Sequence, residues 1–136
     1  MLFRSDPVDV LVITPVPLIP GVVVTCRVLG ILKMEDEAGQ DGKVLAVPTD
    51  KILSIYTQWQ KPEDLNPMRL KTIAHFFEHY KDLEPGKWVR VGSWVGAEEA
   101  KQEIVEAIAR RDGARARKLM LKSALVSVSQ IYAIFP

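Results

Sequence analysis

The chain has 136 residues, of which 48% are hydrophobic and 26% charged, with a formal net charge of +1. That composition is ordinary for a globular protein and fits one domain with a modest core. No apolar run reaches the about 20 residues of a membrane helix. The first four residues are too short for a signal peptide, and the one cysteine, Cys26, excludes an internal disulfide. The expectation is a cytoplasmic protein in which Cys26 is a buried small hydrophobe.

Residues 8–14 read as a short β-rich strand, and the prolines and glycine of residues 15–21 force a turn. Residues 22–32 are rich in β-branched side chains and read as a second strand, with Gly30 marking a bulge. Residues 35–42 read as an acidic loop with two glycines, residues 44–47 as a third strand ended by Pro48, and residues 49–64 as irregular chain with helical turns. Several short strands separated by turns suggest a small barrel or sandwich.

Asn66 followed by Pro67 predicts a helix start. Leu70, Ile73, Phe76, Phe77 and Tyr80 recur at helical spacing and predict its buried face, and Pro85-Gly86 is expected to end it. Residues 88–91 alternate as a fourth strand. Residues 97–111 predict a second amphipathic helix with Ala100, Ile104, Ala107 and Ile108 on one face, and Gly113 suits its C-cap. Residues 110–122 are strongly basic, and the last fourteen residues carry no charge. The apolar, strand-like run 125–135 is expected to cover an exposed sheet edge or core surface.

Chemistry concentrates in two acidic clusters. Asp6 and Asp9 flank Pro7-Val8, and proline fixes the backbone so that both carboxylates can face one site. Asp36, Glu37 and Asp41 lie in the glycine-containing loop, with Lys43 just after. Carboxylates gathered at strand edges suit hard divalent cations, and a lysine beside them suits phosphate. Each cluster is also an ordinary composition for a solvated turn, so spacing alone leaves both readings open. His75 and His79 are one helical turn apart, a spacing that can bind zinc. The glutamate that the zinc-peptidase motif places after the first histidine is missing, so core or interface histidines are expected.

Taken together, Asp-Pro-Val-Asp-Val-Leu-Val at residues 6–12, Pro20-Gly21, Gly30-Ile31-Leu32-Lys33-Met34, Asp36-Glu37-Ala38-Gly39, Asp41-x-Lys43, Val47-Pro48 and the run from Ile73 to Glu84 resemble the bacterial soluble family I inorganic pyrophosphatases. Gly86-Lys87-Trp88-Val89 and the second helix continue the resemblance, which covers residues 6–111. It implies a mainly β fold with two α-helices, an oligonucleotide-binding-like β-barrel of the inorganic pyrophosphatase type. It also implies hydrolysis of pyrophosphate to two phosphates with Mg²⁺, or Mn²⁺ in its place, by a homo-oligomer. The implied catalytic residue is Asp6, which helps take a proton from the attacking water. The implied metal ligands are Asp9, Asp36 and Asp41, and the implied phosphate contacts are Lys43, Tyr80 and Lys81.

The chain also departs from the family pattern. The first aspartate of the family's D-x-D-P-x-D falls at Arg4, a cation where a metal ligand is expected. The family's upstream strands are absent, so the barrel is expected to be partial. Residues 112–136 do not resemble the family and are expected to form a separate basic, then apolar, tail. Two readings follow: a metal-dependent pyrophosphatase whose missing groups come from a neighbour in an oligomer, or a catalytically inactive remnant retaining a fold and weak metal and phosphate binding. Binding of the basic tail to nucleic acid or an anionic membrane is not expected, because aromatics do not interleave its basic residues.

Overall fold

A computed structural model describes residues 8–112. Arg4 and Asp6 lie outside the described residues, as do Gly113 and the tail. Five strands form one sheet: β1 (Asp9–Val12), β2 (Cys26–Asp36), β3 (Gly39–Gln40), β4 (Lys43–Pro48) and β5 (Val89–Gly96). Among the described residues two α-helices, α1 (Pro67–His79) and α2 (Ala97–Asp112), accompany the sheet. The strand order is β1-β4-β2-β3, with β5 also paired to β2. β1 runs parallel to β4, and β2 is antiparallel to β3, β4 and β5. The sheet curls as half a barrel, and among the described residues β1 and β5 do not pair to close it.

Each face of the sheet carries its own core. On the first, Leu11, Ile13, Leu29, Leu32, Met34, Leu45 and Val47 pack with Ile73 and Phe77 of α1. On the second, Val10, Val12, Cys26, Val28, Ile31, Val44 and Ala46 pack with Ala100 and Ile104 of α2. Strict alternation carries β1 and β4 across both cores. In β2 the alternation changes phase: Val28 faces α2, Leu29 faces α1, and Ile31 again faces α2. The cause is the register shift between Val28 and Gly30, the bulge expected from Gly30. A side chain there would force its neighbours to shift, because a Cβ at Gly30 would press on both Pro62 Cγ and the Val95 carbonyl oxygen.

α1 starts as the sequence predicts. Asn66 accepts a hydrogen bond from the Met68 backbone N–H at 2.8 Å, and Pro67 takes the first helical position. Its buried face is narrower than expected: Ile73 and Phe77 are buried, whereas Phe76 is 39% exposed. The helix ends at His79, earlier than Pro85-Gly86, and shorter turns follow, from Asp82 N–H to the His79 carbonyl and from Glu84 N–H to the Lys81 carbonyl. Leaving the helix there lets Lys81 reach back to the sheet.

Strand boundaries differ from the sequence reading throughout: β1 spans Asp9–Val12 rather than 8–14, and β4 spans Lys43–Pro48 rather than 44–47. β2 begins at Cys26 rather than at residue 22 and runs to Asp36, into the expected acidic loop. There it turns through Gly39, at φ +119°, into the short strand β3. β5 starts at Val89 and extends to Gly96, well beyond residue 91. Cys26 is buried as expected. Among the described residues, no helix is long and apolar enough to cross a membrane.

Candidate functional site

The positions of the charged candidates follow from the alternation of the strands. On the face toward α1, Asp9 precedes Leu11 and Ile13 in β1, Lys43 precedes Leu45 and Val47 in β4, and Asp36 follows Leu32 and Met34 in β2. The parallel pairing sets Asp9 directly beside Lys43. The antiparallel pairing of Leu32 with Lys43 sends the end of β2, and so Asp36, to that same end of the sheet. The last turn of α1 and the start of β5 meet there too, since Val89 pairs with Asp36. One end of the α1-facing core is therefore closed by charged residues in place of apolar ones.

Lys43 and Asp36 are the two charged residues buried among the described residues, at 3% and 2% exposure. Buried charges are costly unless paired, and both are paired. The Lys43 ammonium donates to Asp9 and to Asp41, reaching the two oxygens of Asp41 at 3.0 and 2.9 Å. Asp41 is held in place by its backbone N–H, which donates to the Met34 carbonyl at 2.9 Å. The Phe77 ring centre lies 5.8 Å from the same ammonium, so α1 backs the pair. Burial alone would lower the Lys43 pKa; the hydrogen bonds and charges of Asp9 and Asp41 outweigh it and hold the pKa above its ordinary value.

A second centre is built around Asp36. Its carboxylate accepts from the Ala38 backbone N–H at 2.9 Å, which shapes the β2–β3 turn, and from Lys81 Nζ at 2.7 Å. Lys81 lies over the Tyr80 ring at 5.4 Å from its centre, and that ring packs on the α1-facing core. Burial alone would lower the Lys81 pKa, but the hydrogen bond that Lys81 donates to the Asp36 carboxylate, with the neighbouring Tyr80, outweighs it and raises the pKa above its ordinary value. Glu37 stands apart: it is exposed and accepts from the Trp88 backbone N–H at 3.4 Å.

The structure thus groups Asp9, Asp41 and Lys43 at one centre, and Asp36, Lys81 and Tyr80 at another, at the same end of the sheet. What the sequence reading did not find is that each lysine is held by a carboxylate. The available signal was the alternation itself, which puts Asp9, Asp36 and Lys43 on the face of the buried core rather than on a solvated one. The phenyl ring of Phe77 behind Lys43 was also unassigned, and its place on the buried face of α1 was the signal for it. His75 and His79 lie on the exposed face of α1 with ring centres 4.4 Å apart, and His79 Nδ1 is 2.9 Å from Asp82.

Chemically, the first centre is two carboxylates converging on one position occupied by a cation. Among the described residues no group of three or more His, Cys, Asp and Glu is placed to hold a metal ion. Two carboxylates nevertheless fit Mg²⁺, which is bound by one or two carboxylates together with substrate phosphates and water rather than by a full protein cage. The all-oxygen donor set points the same way.

Comparison with known proteins gives a consistent result. The family model described as inorganic pyrophosphatase matches residues 4–112. An inorganic pyrophosphatase from Xanthomonas campestris pv. campestris is 53% identical over 106 residues, 78% of this chain and 60% of that protein. The Escherichia coli K12 inorganic pyrophosphatase is 56% identical over 106 residues, with the same shares covered. Among solved structures, an inorganic pyrophosphatase from Coxiella burnetii superposes with a TM-score of 0.76 at 52% identity, covering 80% of this chain and 66% of that one. The chain spans about 60% of the length of the curated relatives it matches.

Proposed function

Because the chain belongs to the inorganic pyrophosphatase family, we propose that it acts on inorganic pyrophosphate, hydrolysing it to two phosphates at the charged end of the α1-facing core. The proposal includes divalent cations, Mg²⁺ or Mn²⁺ in its place, with Asp9 and Asp41 as ligands of one site and Asp36 as the ligand of a further one. The observation that carries it is the convergence of Asp9 and Asp41 on a single cationic position. A cytoplasmic homo-oligomer belongs to the same proposal and rests on the resemblance.

Within this reading each residue has a physical task. A cation at the carboxylate pair supplies Lewis acidity toward water and phosphate oxygens. Asp9 and Asp41 fix where that charge sits. Lys43 and Lys81, with Tyr80 beside Lys81, offer donors to the phosphate oxygens, whose negative charge must be stabilised as the bridging bond breaks. Asp6, three residues before Asp9, takes the proton of the attacking water.

A second reading, binding of metal and phosphate without turnover, is favoured by Arg4, a cation at the position where the family motif has an aspartate. Phosphate release from pyrophosphate separates the two. Hydrolysis predicts release in Mg²⁺ that stops in chelator and falls by about 10²-fold or more in Asp41→Asn, the scale for losing one charged group of a reaction centre. Release in Mg²⁺ no faster than in chelator overturns hydrolysis by this chain.

A further inference from the structure

The Lys43 ammonium occupies the position on which the Asp9 and Asp41 carboxylates converge. It contacts Asp9 and both oxygens of Asp41, its side chain is 4% exposed, and the sheet register fixes it beside Asp9. A divalent cation liganded by the same oxygens would lie within a few ångströms of the ammonium, in a partly desolvated site where like charges repel strongly. Both cannot stay. We propose that Lys43 is the internal counter-cation of the empty site: it neutralises Asp9 and Asp41 when no divalent cation is bound, and is displaced onto a phosphate group when one enters.

The inference rests on the proposed function for its metal and its anion, and adds an energetic link between them. Two carboxylates and one lysine leave the centre with a single negative charge. Exchange of the lysine for a divalent cation frees an ammonium that has lost both of its partners. A phosphate oxygen restores a partner to it. Cation and phosphate therefore bind cooperatively through Lys43, and by reciprocity each raises the affinity of the other by the same factor. The Phe77 ring, 5.8 Å from the ammonium, limits how far inward the displaced side chain can retreat, so the exit is outward, toward the anion.

Calorimetric titration of Mn²⁺, with and without inorganic phosphate, tests the link in the full chain. In Lys43→Met, Mn²⁺ alone should bind about tenfold more tightly than in the unaltered chain, because a competing charge is gone. The enhancement by phosphate should shrink by about the same factor. A direct contact between metal and phosphate would leave that enhancement intact, so an unchanged enhancement, or unchanged or weaker Mn²⁺ binding, overturns the exchange. Mn²⁺ affinity indifferent to Asp41→Asn overturns instead the placing of the metal.

Amine acetylation read by mass spectrometry gives a second measurement, on the unaltered chain, independent of how the variant folds. Lys43 should be protected in metal-free buffer, several-fold more reactive with Mg²⁺ alone, and protected again with Mg²⁺ and inorganic phosphate. Reactivity unmoved by saturating Mg²⁺ overturns the proposal.

Discussion

Lys43 shows how far the setting of a single residue can lie from anything local in its sequence. Its place after an acidic turn suggested a phosphate contact, and nothing local announced that it would be buried. Its burial comes from position in β4, two residues before Leu45 on the face toward α1, and from Asp9, thirty-four residues earlier in the chain. Buried ion pairs add little net stability, so a pair retained at the end of a core is better explained by what it does.

Cys26 is the converse case, a buried residue with no chemistry. Burial pushes its thiol up from 9.0 to about 11. Between those values the unfolded chain releases the proton and the folded chain keeps it. The contribution is thus complete below pH 9 and is lost as the pH rises toward 11, by on the order of 2 kcal/mol. Urea unfolding at pH 8 and pH 10.5 checks this: the loss should be larger in the unaltered chain than in Cys26→Ala, and an equal loss would assign the pH dependence elsewhere.

At the scale of elements, the bulge at Gly30 matters because it rotates β2 so that Leu32, Met34 and Asp36 all face α1. Gly30→Ala would press a methyl group against the Pro62 ring and the Val95 carbonyl, neither of which yields easily. Overpacking of this kind costs about 1–3 kcal/mol. Urea unfolding of the variant should show that loss, and Asp36 should lose its hold on Lys81. An unchanged midpoint would mean that the strands separate without cost.

The elements most legible in the sequence were those with local chemistry. Asn66-Pro67 started α1, and the apolar spacing of residues 97–111 matched α2. The acidic stretch from Glu35 read as loop, since acidic residues are poor strand formers. β2 continues there because Asp36 is held by the Ala38 N–H and by Lys81, forty-five residues away. Residues 22–25 look like strand, yet Val23 is 76% exposed; β-branched side chains form strands only where a sheet has room for them. No local signal foretold that α1 stops at His79, and the end there leaves Lys81 free to bond Asp36 across the fold.

Across the described residues as a whole, one sheet between two α-helices creates two cores of different character. The α2 side is apolar throughout its buried positions. The α1 side ends in Asp9, Lys43 and Asp36, and this asymmetry puts the charged site at one end of one face. The family resemblance supplied the roles of these residues, and the folded chain supplies their grouping, two centres with each lysine held by carboxylate. Asp6, Arg4 and the tail lie outside the described residues, so the water-activating role and the expected covering of a sheet edge by residues 125–135 remain expectations of the sequence.

By the proposal above, the Asp9–Asp41 pair is a divalent cation site whose resident in the metal-free chain is Lys43. Anomalous scattering from crystals soaked in Mn²⁺ and phosphate tests it most directly. A manganese peak should appear between the carboxylates of Asp9 and Asp41, with the Lys43 ammonium displaced onto a phosphate oxygen. A Lys43 ammonium still seated between Asp9 and Asp41, with manganese elsewhere or nowhere, would contradict it.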